Sequence, residues 1–172
     1  KKKVLHHTVI KAEKCIVDGG NLIPDKPYIM PSTKHSFEVF SLSGHSNGQV
    51  GIVTPDKVFF IGDSLNSNKD LADNPIPYSE DITKTKKTLD FLLKSKYTLF
   101  VPTHGKPMEF TITSEVYNNQ RQIKMIEETI SMHLSMPKTK DELVAVVLAS
   151  FELEENIPNF YLISSTVSKY LE

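Results

Sequence analysis

Three strand-like runs in this chain, the first of them alternating apolar and polar, each end beside glycine in a residue able to bind a metal, and that coincidence limits the fold more than any other feature. Phe37-Glu38-Val39-Phe40-Ser41-Leu42 runs into Gly44-His45-Ser46, Val58-Phe59-Phe60-Ile61 ends at Gly62-Asp63-Ser64, and Tyr97-Thr98-Leu99-Phe100-Val101 delivers Pro102-Thr103-His104-Gly105. Short runs rich in β-branched and aromatic residues, bounded by turn residues, are strands. Side chains at the tips of neighbouring strands can converge on one point held by a rigid sheet, and imidazoles with a carboxylate suit zinc or a related first-row cation. A single histidine at a strand end is ordinarily a hydrogen-bonded turn residue. The ordered set of His45, Asp63 and His104 is what carries the signal.

The elements around these runs follow from periodicity and turn chemistry. Asp18-Gly19-Gly20 after Ile16-Val17 predicts a tight turn, and Val50-Gly51-Ile52-Val53 and Val58–Ile61 flanking Thr54-Pro55-Asp56-Lys57 predict a hairpin. The second hairpin strand is apolar throughout, as in strands covered on both faces. A polar, proline-broken segment spans Asn66 to Tyr78, followed by a helix over Ser79 to Lys94 with Ile82, Leu89 and Leu93 on one side. From Ser114 the period is helical, with Val116, Ile123, Ile126 and Ile130 on one face and Pro137 as the stop. Thr139 and Glu142 form a capping-box signature ahead of a second helix, and a third starts near Pro158 with Phe160, Ile163, Val167 and Tyr170 inward. The expected organisation is therefore a strand-rich unit over residues 1–113 and a long helix with a small helical appendage over 114–172.

Composition mainly excludes. At 172 residues the chain can bury a real core. Its 20 basic and 21 acidic residues nearly cancel and are interspersed, so neither nucleic acid nor a membrane surface is an expected partner. The lone Cys15 cannot form an internal disulfide, and no run approaches the roughly 20 apolar residues of a membrane span, so a cytoplasmic location is expected. Cys15 fits a buried small hydrophobe, and His35 and His133 fit exposed polar positions.

Leu42-Ser43-Gly44-His45-Ser46-Asn47-Gly48, Phe60-Ile61-Gly62-Asp63-Ser64 and Val101-Pro102-Thr103-His104-Gly105 resemble the later metal-binding motifs of the metallo-β-lactamase superfamily. The resemblance runs from about Lys11 to Gly105. It implies an α+β fold, the second half of an αβ/βα sandwich, followed by a small helical tail similar to the truncated winged-helix-type appendage of some members. By this resemblance His45 completes a first metal site, Asp63 bridges two metals and His104 binds the second. The implied activity is hydrolysis of a small ester, thioester or phosphoester by metal-bound hydroxide, with two zinc ions, or iron or manganese, as cofactor. Asp63 is then the catalytic residue. Asn68, Lys69 and Tyr78, on the segment after it, are candidate substrate-binding residues, with Asp70 beside them.

The chain departs from that pattern in one respect. The superfamily opens its site with His-x-His-x-Asp-His, and no such string occurs here; His6-His7 has the wrong spacing and no following aspartate. Three ligands shared by two metals are too few for tight binding, so the chain by itself is expected to be inactive. A lone second half also leaves an apolar sheet face to cover. The expected occupants are an N-terminal half missing from this sequence, a second chain, or another copy in a homodimer. The tail lacks the closing hairpin of a winged helix, so the C-terminus is expected to be clipped as well. The short interval from Asp63 to His104 has no room for the inserted domain of nucleic-acid-processing members. The rival from another class is a non-catalytic or partner-completed binding module that works through its helical tail.

Overall fold

The computed structural model describes residues 24–29 and 34–172; the expectations placed on His6, His7, Cys15 and the turn at Asp18 lie outside the described residues. The strands are β1 (Tyr28–Ile29), β2 (Ser36–Ser41), β3 (Val50–Val53), β4 (Val58–Gly62), β5 (Leu99–Pro102) and β6 (Met108–Glu109). The helices are α1 (Asn68–Asp73), α2 (Ile82–Lys94), α3 (Thr113–His133), α4 (Lys140–Ser150) and α5 (Ile157–Tyr170). The strands form one sheet in chain order, antiparallel at every step except β4 to β5. A parallel step needs a crossover, and α1 and α2 supply it.

The β3–β4 hairpin closes where the sequence predicts it. Thr54 N–H donates to the Val58 carbonyl at 2.9 Å, Lys57 N–H donates back to Thr54, also at 2.9 Å, and Lys57 takes a φ of 65°. Cross-strand partners share a face of the sheet. Phe59 pairs with Val53 and Phe100, and this face is sealed by α2 and α3 into a core that includes Leu42, Ile61, Leu89, Leu92, Val116 and Ile123.

The opposite face differs from the expectation of cover on both sides. Phe60, in register with Ile52 and Val101, is 43% exposed, whereas Phe59 beside it is wholly buried. β4 is apolar at all positions, yet among the described residues only one of its faces is fully packed.

Helix α3 joins two cores because its apolar stripe is long. Val116 and Ile123 belong to the sheet core, while Ile126 and Ile130 pack with Leu143, Val144, Val147, Leu148, Ile163 and Val167 of α4 and α5. Helix α4 starts on the expected capping box, with the Thr139 side chain accepting from Glu142 N–H and the Glu142 carboxylate accepting from Thr139 N–H. Asn156 caps α5, with proline in its first turn. Helix α1 falls within the stretch expected to be irregular; Ser67 and Asp70 form its own capping box, which compensates for its length of 6 residues. Among the described residues no helix is long and apolar enough to cross a membrane.

Candidate metal centre

The three strand ends deliver their ligand-type side chains to one place. Asp63 Oδ2 lies 4.0 Å from His45 Nε2, and Asp63 Oδ1 lies 3.5 Å from His104 Nε2. Each imidazole thus faces its own carboxylate oxygen. The heads are partly open to solvent: the His45 and Asp63 side chains are about one-third exposed and His104 is 76% exposed.

Backbone geometry aims Asp63. The register of β4 against β5 shifts between Phe60 and Gly62, and Gly62 takes a φ of 59°. Such an irregularity turns the chain at a strand end and re-aims the next side chain. Thr103 N–H donates to the Gly62 carbonyl at 3.0 Å, tying the Asp63 turn to the His104 loop. Gln49 braces the far side, its amide donating to the Ser64 hydroxyl and toward the Ile61 carbonyl.

The segment between β4 and α2 supports both histidine loops. Ser67 stands 3.5 Å from where a Cβ on Gly105 would lie, so α1 sits directly under the turn that follows His104. Asp70, at the same corner, is held below the usual carboxylate range by the Ser67 hydroxyl and backbone N–H that donate to it. Further on, Tyr78 sets its ring edge-on to His45 with centroids 5.4 Å apart.

Behind His45 and Asp63 lies a cavity of about 30 Å³, whose lining includes Tyr78, Ser79, Asn119 and Tyr170. Its volume suits one or two water molecules rather than a substrate. Tyr170 carries the end of the helical tail to this wall, and burial pushes its phenol well above the ordinary range. Of the candidate substrate-binding residues, the structure brings Tyr78 to the histidine. Asn68 and Lys69 do not line the cavity, and the Asn68 side chain instead accepts from Asn118 on α3 at 2.7 Å.

Asn119 was not singled out from sequence, although it occupies an apolar slot of the α3 stripe. It is 5% exposed, accepts from Asn66 N–H at 3.1 Å and donates to the Asn66 carbonyl at 2.7 Å. Asn119→Ala would leave the half-buried backbone N–H and carbonyl of Asn66 without this partner. The expected loss is about 2 kcal/mol of unfolding free energy by urea denaturation.

Similar solved structures share this arrangement of elements. A metallo-β-lactamase family protein from Thermus thermophilus superposes with a TM-score of 0.63 over 86% of this chain and 46% of its own, at 16% identity. A β-lactamase domain protein from Burkholderia ambifaria gives 0.67 over 88% of this chain and 45% of its own, at 15% identity. The fold is that of the metallo-β-lactamases. No protein-family model matches the sequence, and no curated protein matches it significantly. This metallo-β-lactamase-fold chain spans about half the length of those two structures, at 46% and 45%.

The donor set fits part of a metal centre. Two ligands sharing one tetrahedral zinc with bonds near 2.05 Å stand about 3.3 Å apart, close to the 3.5 Å of His104 and Asp63 and shorter than the 4.0 Å of His45 and Asp63. Among the described residues, however, no three His, Cys, Asp or Glu side chains are grouped to hold one ion. The arrangement is two histidine–carboxylate pairs sharing Asp63.

Proposed function

We propose that this chain carries the later part of the centre of a metal-dependent hydrolase acting on a small ester, thioester or phosphoester. The observation that supports it is the Asp63 carboxylate set between two imidazoles, one oxygen to each. His45 and Asp63 would hold one cation, and Asp63 and His104 the other. Zinc suits imidazole and carboxylate donors best, with iron and manganese as alternatives. When bound, the metal supplies Lewis-acid polarisation of the oxygen on the scissile group. Asp63 would be shared by the two sites, and Tyr78, edge-on to the His45 ring, would help to hold that imidazole in place.

The remaining donors come, in this proposal, from the polypeptide that covers the Ile52, Phe60 and Val101 face: a further segment of the same protein, a second chain or another copy. A location in the cytoplasm agrees with the single cysteine. A second reading, a binding module working through its helical tail, draws on Ile157 and Tyr161, which stand 75% and 71% exposed on α5.

The experiment is turnover of a panel of small esters, thioesters and phosphoesters by the protein with its completing polypeptide, before and after chelation and on restoring zinc. Activity should vanish with chelation, return with zinc and fall by about 100-fold or more in Asp63→Asn. Turnover indifferent to chelation and to Asp63→Asn would reject the proposal, and no turnover on any substrate would favour the binding module.

A further inference from the structure

We propose that Glu80 is a positioning residue for His45: it closes a clamp that fixes the turn carrying the imidazole. The inference rests on the metal reading of His45 given above.

The turn Gly44-His45-Ser46-Asn47 is held from outside by one segment, Ser79 to Lys84. The Gly44 carbonyl accepts from Glu80 N–H at 2.8 Å, from Asp81 N–H at 3.0 Å and from the Ser79 hydroxyl at 3.1 Å. These bonds fix the peptide entering His45. On the exit side, Asn47 N–H donates to Glu80 Oε2 at 2.7 Å, and the Asn47 side-chain oxygen accepts from Lys84 Nζ at 2.7 Å. Glu80 is the residue that grips both sides, its backbone on the entrance and its carboxylate on the exit.

The carboxylate bond is charge-assisted and short, which makes it stronger than an ordinary amide contact. Its geometry sets the direction from which His45 approaches Asp63. The Glu80 side chain belongs to neither hydrophobic core, so its loss should act on the turn rather than on the fold. Partners bonded directly to a ligand side chain change metal affinity by roughly 10- to 100-fold when removed, and Glu80, acting through the backbone of the turn, belongs at the lower end of that range. Glutamine keeps an oxygen able to accept from Asn47 but carries no charge, and so separates the hydrogen bond itself from the negative charge of the carboxylate.

The test compares wild type, Glu80→Ala and Glu80→Gln in the protein with its completing polypeptide. Zinc affinity is measured by competition with a chromophoric chelator, and the His45 and His104 ring signals are followed by NMR in the zinc-free state. Glu80→Ala should weaken zinc binding about 10-fold and shift the His45 ring signals while leaving those of His104 in place. Glu80→Gln should recover most of both effects, with the zinc-free melting temperatures of all three alike. Unmoved His45 signals in Glu80→Ala, or a glutamine variant no better than alanine, would overturn the proposal. Absence of zinc binding by wild type would reject the metal reading instead, and the ring signals would still decide the role of Glu80.

Discussion

Gly44→Ala is expected to lower the unfolding free energy by about 4 kcal/mol and to free the His45 turn from α2. Two independent obstacles meet at this glycine. Its φ is 143°, a conformation L side chains rarely adopt, and a Cβ there would stand 2.6 Å from both the backbone N and the Cα of Thr85. Backbone atoms in the first turn of a helix cannot swing aside as a side-chain tip can. Relief requires the turn to lift away, which breaks the three bonds to the Gly44 carbonyl. Urea denaturation measures the loss, and a change below about 1 kcal/mol would mean that the turn is far more compliant than its contacts imply.

Phe59→Ala should cost a similar amount, about 3–5 kcal/mol, through the sheet core. The ring is fully buried and lies in an aromatic cluster, with centroids 4.9 Å from Tyr97, 5.8 Å from Phe40 and 6.0 Å from Phe100. It also rests on Gly51, where a Cβ would stand 2.5 Å from its ring, so little can collapse into the space it leaves. Phe60→Ala is the internal control. Phe60 is the next residue on the same strand, but it is 43% exposed and turned to the other face, so its loss should cost about 1 kcal/mol or less. Equal effects at the two positions would contradict the assignment of faces.

The faces of β4 also mark the limit of what periodicity can say. A run of apolar residues fits a strand covered on both sides, and the chain supplies cover for only one of them among the described residues. The hairpin, the long helix and the capping box at Thr139 were legible because each is written in adjacent residues. So were the three metal-type strand ends, since each follows directly on its strand. Helix α1 was not, because a single polar turn amid prolines has no hydrophobic period, and only Ser67 and Asp70 betray it.

The clamp on His45 left no local trace at all. Asn47 and Glu80 are 33 residues apart, and the Ser79 hydroxyl reaches a backbone carbonyl 35 residues away, so neither bond has a sequence pattern. Asn119 is an intermediate case. Its polar side chain interrupts an otherwise apolar stripe between Val116 and Ile123, a visible signal, but its partner Asn66 is identified only by the packing of α3 against the loop after β4.

The most direct measurement is the zinc content of the protein, completed as proposed above, by mass spectrometry, in wild type and in His45→Ala, Asp63→Ala and His104→Ala. If Asp63 is shared between two ions, each histidine variant should lose one ion and keep the other, and Asp63→Ala should lose the most. Zinc unchanged across all three variants would show that this carboxylate and its two imidazoles hold no metal.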